Sequence, residues 1–458
     1  MFLIAAAFGA SLDNLEIGGP WGSPTAVDAT SGWWNPAGFA LGQGTRIQLE
    51  GAPTFATVTY DRAEPHAGTD VVTLAGLVPF VGVASDLRLR GLGIGAALAV
   101  PFARGGEELT PPGPGAYHLM SGMSQGIYFL AGGAYNFRDL VSIGATAGLL
   151  QTHWSAEAAT DIMPDLKHAI LEKDPTQDPG YTDSDLENPD YSAILNIDSL
   201  SDVVPTFSVG LQARPMPQLT LGVAYIHGGR VRNVGDAVVS FGCPPQSDTI
   251  GRFGSESFGL CDATLNAAAS VAYALPSRIH AGVAFKPIEA VRLEALGGRV
   301  FWNVYEDFDI AITEVATRNQ LANPQAATLV EQNRLWARAN TDSFWGGLDV
   351  KGYFADRFTA GARVLYDQSA VPDAALSTNN YDADTVMLSG LFAVSFLSHL
   401  QLGASITQQF LAERDVSTSS FYMTIDNAPA ADRWNYPHAN GVYNAKVTRL
   451  GVSLMAEF

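Results

Sequence analysis

The chain has 458 residues, 47% of them hydrophobic and only 16% charged, with 46 glycines and a formal net charge of −20. Ordinary soluble chains carry about 25% charged residues, so this one has too little charge to coat several soluble domains, and its aromatic and branched aliphatic content excludes disorder. The excess of 46 Asp and Glu over 26 Lys and Arg excludes a nucleic-acid partner, because phosphate binding needs clustered cations.

Taken in chain order, residues 1–10 (from MFLIAAAFGAS) have the apolar core and small residues of an export signal without its basic start, and read as the remnant of one. Residues 11–44 are rich in Gly, Pro and Trp and show no strand alternation. After the N-terminus no stretch reaches the roughly 20 consecutive apolar residues of a membrane helix. From residue 45 to 458 a different pattern recurs instead: segments of ten residues in which apolar and small or polar positions alternate. Examples are GLGIGAALAV from Gly91, VSIGATAGLL from Val141, QLTLGVAYIH from Gln218, RIHAGVAFKP from Arg278, RFTAGARVLY from Arg357 and LQLGASITQQ from Leu400. Within one of them, Ile279, Ala281, Val283 and Phe285 share a face, and Arg278, His280, Gly282 and Ala284 share the other. Tight turns near Asp86, Arg138, Pro215, Pro287, Asp356 and His399 alternate with longer polar connections, the organisation of an outer-membrane barrel. The expected fold is all-β: a transmembrane antiparallel β-barrel of about fourteen strands. The final segment keeps Leu450, Val452, Leu454, Ala456 and Phe458 in alternation to the last residue, as outer-membrane barrels commonly do.

Long extracellular loops are expected at about 155–203, 231–262, 306–340 and 414–441. The first carries twelve acidic residues against two lysines. Its early part places Ile162, Leu166, Ile170 and Leu171 at helical spacing, an amphipathic lid. Its later part offers Asp174, Asp178, Asp183, Asp185, Glu187 and Asp190, oxygen ligands that suit Ca²⁺ and equally suit solvation. In the second loop Cys243 and Cys261 lack zinc-site spacing and read as a disulfide, with two free thiols as the alternative. Phe241, Phe253, Phe258 and Leu260 of that loop are candidates to line a capture groove with Ile162, Leu166 and Ile170, or simply to pack on one another.

By strand parity Asp349, Lys351, Arg363, Arg278 and His280 face away from the apolar side, into the lumen. Lys351 and Arg363 are the candidates to pair with a ligand carboxylate, and Asp349 is close enough in the pattern to be their partner instead. No H-E-x-x-H, P-loop or dinucleotide fingerprint is present, so neither an enzyme nor a cofactor is expected.

The segment IGGPWGSPTAVDATSGWWNPAGFA, with Gly18-Gly19, Ala26 to Ala29 and above all Asn35, Pro36, Ala37 and Gly38, resembles the N-terminal hatch of the FadL family of outer-membrane long-chain fatty acid and hydrocarbon transporters. GPGAYHLM from Gly113, LPSRIHAGVAFKP from Leu275 and YDQSAVPDAAL from Tyr366 extend the similarity along almost the whole chain, while Pro20 to Pro24 and Ala29 depart from it. The resemblance implies residues 11–44 as a plug inside a monomeric 14-stranded barrel of residues 45–458. It also implies capture of ligand by the outer loops, binding at a site inside the barrel, release by rearrangement of the hatch, and lateral exit through a kink in the third strand. Here that strand is expected at about Leu89 to Pro101, with Gly91, Gly93 and Gly95 as kink candidates unless they only make room for the plug. The expected partners are a hydrophobic ligand such as a long-chain fatty acid, outer-membrane lipid and lipopolysaccharide, and the barrel assembly machinery of a Gram-negative bacterium. Aromatic or alkane hydrocarbon uptake is the alternative within the same family, and a general porin or loop-presenting adhesin the alternative outside it.

Overall fold

The computed structural model describes residues 15–63, 67–106, 113–176, 188–243, 247, 249–321, 324–331, 333–397, 399–420 and 439–458. The expected signal remnant and the calcium candidates Asp178, Asp183, Asp185 and Glu187 lie outside them, as does most of the loop expected at 414–441.

Among the described residues twenty strands form in chain order: β1 (Thr45–Arg62), β2 (Gly68–Ser85), β3 (Leu92–Gly106), β4 (Ser121–Phe137), β5 (Val141–Asp161), β6 (Ser192–Ser201), β7 (Val204–Met216), β8 (Leu219–Ile226), β9 (Gly229–Phe241), β10 (Thr264–Leu275), β11 (Arg278–Ile288), β12 (Val291–Val300), β13 (Asp307–Thr313), β14 (Asn333–Ala337), β15 (Ser343–Phe354), β16 (Phe358–Asp367), β17 (Thr385–Leu397), β18 (Leu400–Leu411), β19 (Arg414–Val416) and β20 (Gly441–Glu457). Fourteen of them close a ring of antiparallel pairs: β1, β2, β3, β4, β5, β7, β8, β11, β12, β15, β16, β17, β18, β20 and back to β1. Closure gives every strand of the ring a partner on both sides, the condition for lying in lipid. Outward positions carry exposed apolar residues such as Leu49, Phe129, Ile143, Val283, Leu348 and Val452, whereas inward neighbours are buried and include most of the barrel's charges. Ile279, Val283 and Phe285 face out and Arg278, His280 and Ala284 face in, as the alternation implies.

All six expected tight turns join barrel strands at one end, which is therefore periplasmic. Leu87-Arg88, Arg138-Asp139 and Ala355-Asp356 each have two consecutive residues at positive φ, the central pair of a type I′ turn closed by Leu89, Leu140 and Arg357 N–H respectively.

At the other end the long loops are not simply polar connections. β5 continues past the rim: its lower part pairs with β7, and its upper part, His153 to Asp161, pairs with β6. From there β6, β9, β10, β13 and β14 add on in that order, building a sheet that stands above the barrel wall. Helices α1 (Ser31–Trp34), α2 (Met163–Lys173), α3 (Thr249–Phe253), α4 (Val315–Arg318) and α5 (Gln325–Val330) are short, and among the described residues no helix is long and apolar enough to cross a membrane.

Candidate functional site

The segment from Leu15 to Ala40 is almost wholly buried inside the barrel, where α1 is followed by a tight turn over Pro36–Ala40. Asn35 organises it. Its side-chain nitrogen donates to the Pro24 carbonyl (2.9 Å) of the same segment and reaches the Leu211 (3.1 Å) and Val223 (3.3 Å) carbonyls of the wall, while its oxygen accepts from Ala37 N–H (3.1 Å). Such close approach of backbone to wall is possible because the facing wall residues have no Cβ. A Cβ on Gly210 would lie 2.0 Å from Asn35 Oδ1, on Gly144 2.4 Å from the Pro36 carbonyl carbon, and on Gly222 2.2 Å from the Pro24 oxygen. These glycines sit at inward positions of their strands, a signal present in the alternation but not used to locate the hatch seat.

The inward charges hold the same segment. Arg363 donates to Asp349 (Nη2 to Oδ2, 2.8 Å) and to the Gly22 carbonyl (2.9 Å). Lys351 lies 3.8 Å from Asp349 and donates to the Trp21 carbonyl (3.3 Å). The two candidate carboxylate-binding cations are therefore brought together, but on Asp349 and on hatch backbone, and a ligand carboxylate would have to displace these partners. Gln212 donates to the Ala26 carbonyl (2.9 Å) and Ser142 to the Ala37 carbonyl (2.7 Å). Glu16 accepts from Thr407 (2.6 Å) and from Ser389, and Glu50 pairs with Arg449 (3.2 Å). Arg278 lies over the Trp33 ring (5.2 Å), and His280 packs 4.9 Å from the Trp34 ring. The sequence reading passed over Glu16 and Gln212, which carry no motif and acquire their role only by register.

The kink candidates separate into two roles. Gly91 has φ of 75° and ends the β2–β3 turn, whereas Gly93 and Gly95 lie in regular strand, where a Cβ would strike the Phe39 oxygen (2.2 Å) and the Phe39 ring (2.3 Å). The break in β3 falls further along, with a register shift between Ala99 and Phe102 that spans Pro101. β2 pairs with β3 only up to Phe80↔Ala99, although β2 pairs with β1 along its full length. Pro79, the first β2 residue beyond the last pair, and Pro101 both lack the N–H that would continue the ladder. The wall is thus unzipped above that point.

A single apolar cluster runs from the outer loops to this gap. It contains Ile162, Leu166 and Ile170 of the α2 region and Ile250, Phe258 and Leu260 of the second loop. It continues through Trp154, Leu150 and Tyr128 to Trp33 of the hatch and to Val78, Phe80, Ala97 and Ala99 beside the unzipped wall. The capture-groove candidates Ile162, Leu166, Ile170, Phe241, Phe258 and Leu260 are all buried, closed on one another rather than forming an open groove, and Phe253 packs against them, 5.6 Å from the Phe258 ring. A disulfide joins Cys243 and Cys261 beside them. Of the calcium candidates in the described residues, Asp174 accepts from Thr176 N–H (3.0 Å), and neither it nor Asp190 gathers two further acidic, His or Cys ligands.

On the periplasmic side of the hatch lie two cavities of about 700 and 680 Å³, which share Val27, Asp28, Arg292 and Tyr353 in their walls. Arg292 is tied to Glu294 (2.8 Å) and to Thr25 of the hatch, so the hatch closes the lumen above both.

A closed fourteen-stranded ring with an apolar outer belt and a plugged, charged lumen defines a transmembrane β-barrel of the outer-membrane class. Within that class the fold is the FadL type. The chain is similar to the crystal structure of a Pseudomonas aeruginosa FadL homologue (TM-score 0.73, 15% identity, covering 99% of this chain and 100% of that one). It is also similar to the P. putida toluene transporter TodX (0.64, 13%, 99% of each) and the Ralstonia pickettii toluene transporter TbuX (0.63, 12%, 100% of each). No family model and no curated protein matches the sequence.

Proposed function

We propose that this protein carries hydrophobic small molecules, long-chain fatty acids first among them, across the outer membrane by loop capture, lumen binding and lateral release. The observation that carries this reading is the uninterrupted apolar cluster that begins under the outer loops and ends where β2 and β3 part. A greasy molecule gains nothing from a water-filled pore. It needs an apolar capture surface, an apolar passage and an exit that avoids the polar outer leaflet surface. The unzipped wall supplies that exit, and the hatch forces the ligand towards it by blocking the axial route. The names of the similar structures, a FadL homologue and toluene transporters, support a hydrophobic cargo. The chain acts as a monomer and is inserted by the barrel assembly machinery.

A second reading, aromatic hydrocarbons, is favoured by the rings along the cluster. Tyr273 stacks on Phe308 at 4.5 Å, Trp154 lies 5.7 Å from Phe308, and Trp33 meets Tyr128 edge-on at 5.4 Å.

The test is uptake of labelled oleate, toluene and a small sugar by cells bearing the parent or the double variant Pro79→Thr/Pro101→Thr, which restores both N–H groups. Oleate uptake falling in the folded variant while surface capture persists is the expected result. Undiminished uptake removes the lateral exit, sugar permeation through the parent favours a general porin, and toluene uptake without oleate uptake favours the second reading.

A further inference from the structure

The extracellular rim between β7 and β15 has an outward face that the transport reading does not use. Pairing sets its level: Ile226 lies opposite Arg278, Arg278 opposite Val300, and Gly229 opposite Leu275. At this level the outward side chains are aromatic. Phe207 stacks on His227 (4.9 Å) beside Tyr225, and Arg299 lies 5.1 Å from each of the Phe301 and Phe344 rings. Such a belt marks the interface between acyl chains and headgroups.

Immediately above it, on the outward face of β9, Arg230 and Arg232 are exposed, about 3 and 10 Å beyond Gly229 at the rise of a strand. Their cross-strand neighbours on β10 are Ala274 and Ala272, which leave both guanidinium groups open. Apolar side chains flank them: Leu200 and Val234, directly opposite each other, are 51% and 59% exposed, and Val203 is 52% exposed. Higher on the same face the acids are already matched, Asp236 by Arg318 (2.6 Å) and Asp198 by His153 (2.6 Å), and Arg299 is matched by Asp342 (2.6 Å). Asp309 lies two strands from Arg232, about 10 Å away. Among the described residues, neither Arg230 nor Arg232 enters a side-chain hydrogen bond or ion pair. A chain of net charge −20 therefore presents two unbonded cations just above its acyl-chain belt, with exposed Asp202 the acid nearest to them in register and bonded to neither, on a face that keeps large apolar side chains exposed.

We propose that Arg230 and Arg232 dock the phosphates of the outer-leaflet glycolipid, the phosphorylated lipid A of lipopolysaccharide, with Leu200, Val203 and Val234 against its upper acyl and sugar surface. Bidentate guanidinium contacts suit phosphate oxygens, and the height above the belt is that of a headgroup. The inference rests on the barrel's orientation in the outer membrane and not on its cargo, so oleate uptake tests the two separately.

The experiment titrates purified, folded protein in detergent with Kdo2-lipid A carrying both phosphates and follows bound lipid by native mass spectrometry. The double variant Arg230→Gln/Arg232→Gln, its folding checked by heat-modifiable gel migration, is expected to bind at least about tenfold more weakly, the loss of one or more charge-assisted hydrogen bonds. Dephosphorylated lipid A is expected to bind parent and variant equally weakly, and excess inorganic phosphate to compete poorly. Equal affinity of parent and variant overturns the proposal. Equal binding of the dephosphorylated lipid by the parent assigns the patch to acyl contact alone, and ready displacement by inorganic phosphate assigns it to free anions; either also overturns the proposal.

Discussion

The hatch fills the barrel and the outer-loop assembly stands above it, and the two are held by opposite forces. The hatch is fixed by directional polar contacts: Asn35 to the Leu211 and Val223 carbonyls, Arg363 and Lys351 to its Gly22 and Trp21 carbonyls, Gln212 to Ala26. The outer assembly is fixed by apolar packing of α2 against the disulfide-bearing loop, Leu166 and Leu260 both fully buried. Hydrogen bonds to a wall of fixed register specify one position and lose strength steeply when displaced. Apolar packing is less directional and accepts an apolar guest with little change in kind. A plug needs the first property and a capture surface needs the second, so each end of the molecule has the chemistry its place requires.

The contrast breaks first at the hatch. Deleting residues 18–40 is expected to raise ion conductance in planar bilayers more than any point change does, and unchanged conductance would count against a plug. Gly210→Val places carbon atoms where Asn35 Oδ1 now sits and is expected to raise conductance in the full-length chain while adding nothing in the deletion background. Asp349→Ala strips the countercharge from buried Arg363 and Lys351 and is expected to cost about 3–5 kcal/mol in urea unfolding of the folded barrel. At the other end, Leu166→Ser is expected to weaken oleate binding at the outer loops, measured by fluorescence quenching, with conductance unchanged; a conductance change would mean that the two regions are not separable.

The smallest expected effect is a pH response confined to the loop between β16 and β17. Asp382 is buried there, accepting from Ala370 N–H (2.6 Å) and Ser369 Oγ (3.1 Å), and burial pushes its carboxyl from the ordinary 3.8 up to about 7. A carboxyl whose pKa is raised in the folded state binds its proton more tightly there than when the loop opens. The closed loop is therefore favoured at low pH and loses that advantage as pH rises from about 4 through about 7. Protection of the Ala370 amide, corrected for intrinsic exchange, is expected to fall between pH 5 and pH 8, and Asp382→Asn is expected to remove the trend. An identical trend in the variant would assign it to another group.

The alternation that sorts Ile279, Val283 and Phe285 from Arg278 and His280 was enough to determine the class of fold, the inward face and the tight turns, because a pleated strand turns every second side chain the same way. The hatch was marked by the resemblance of its NPAG run to the FadL family, whereas the local pattern showed only that a Gly- and Pro-rich stretch without alternation is not a wall strand. The extra sheet of β6, β9, β10, β13 and β14 was missed because most of its residues fall in the long segments between tight turns that were read as loops, and only pairing shows that they form strands that leave the ring above β5. Register decided the rest. It set Glu16 on Thr407, brought Lys351 and Arg363 to Asp349 and the hatch, and placed the break in β3 at Pro101 instead of at Gly93 and Gly95. The contacts of Thr407, Lys351 and Arg363 with the hatch join residues hundreds of positions apart, and a sequence period carries no information about which neighbour a strand will meet.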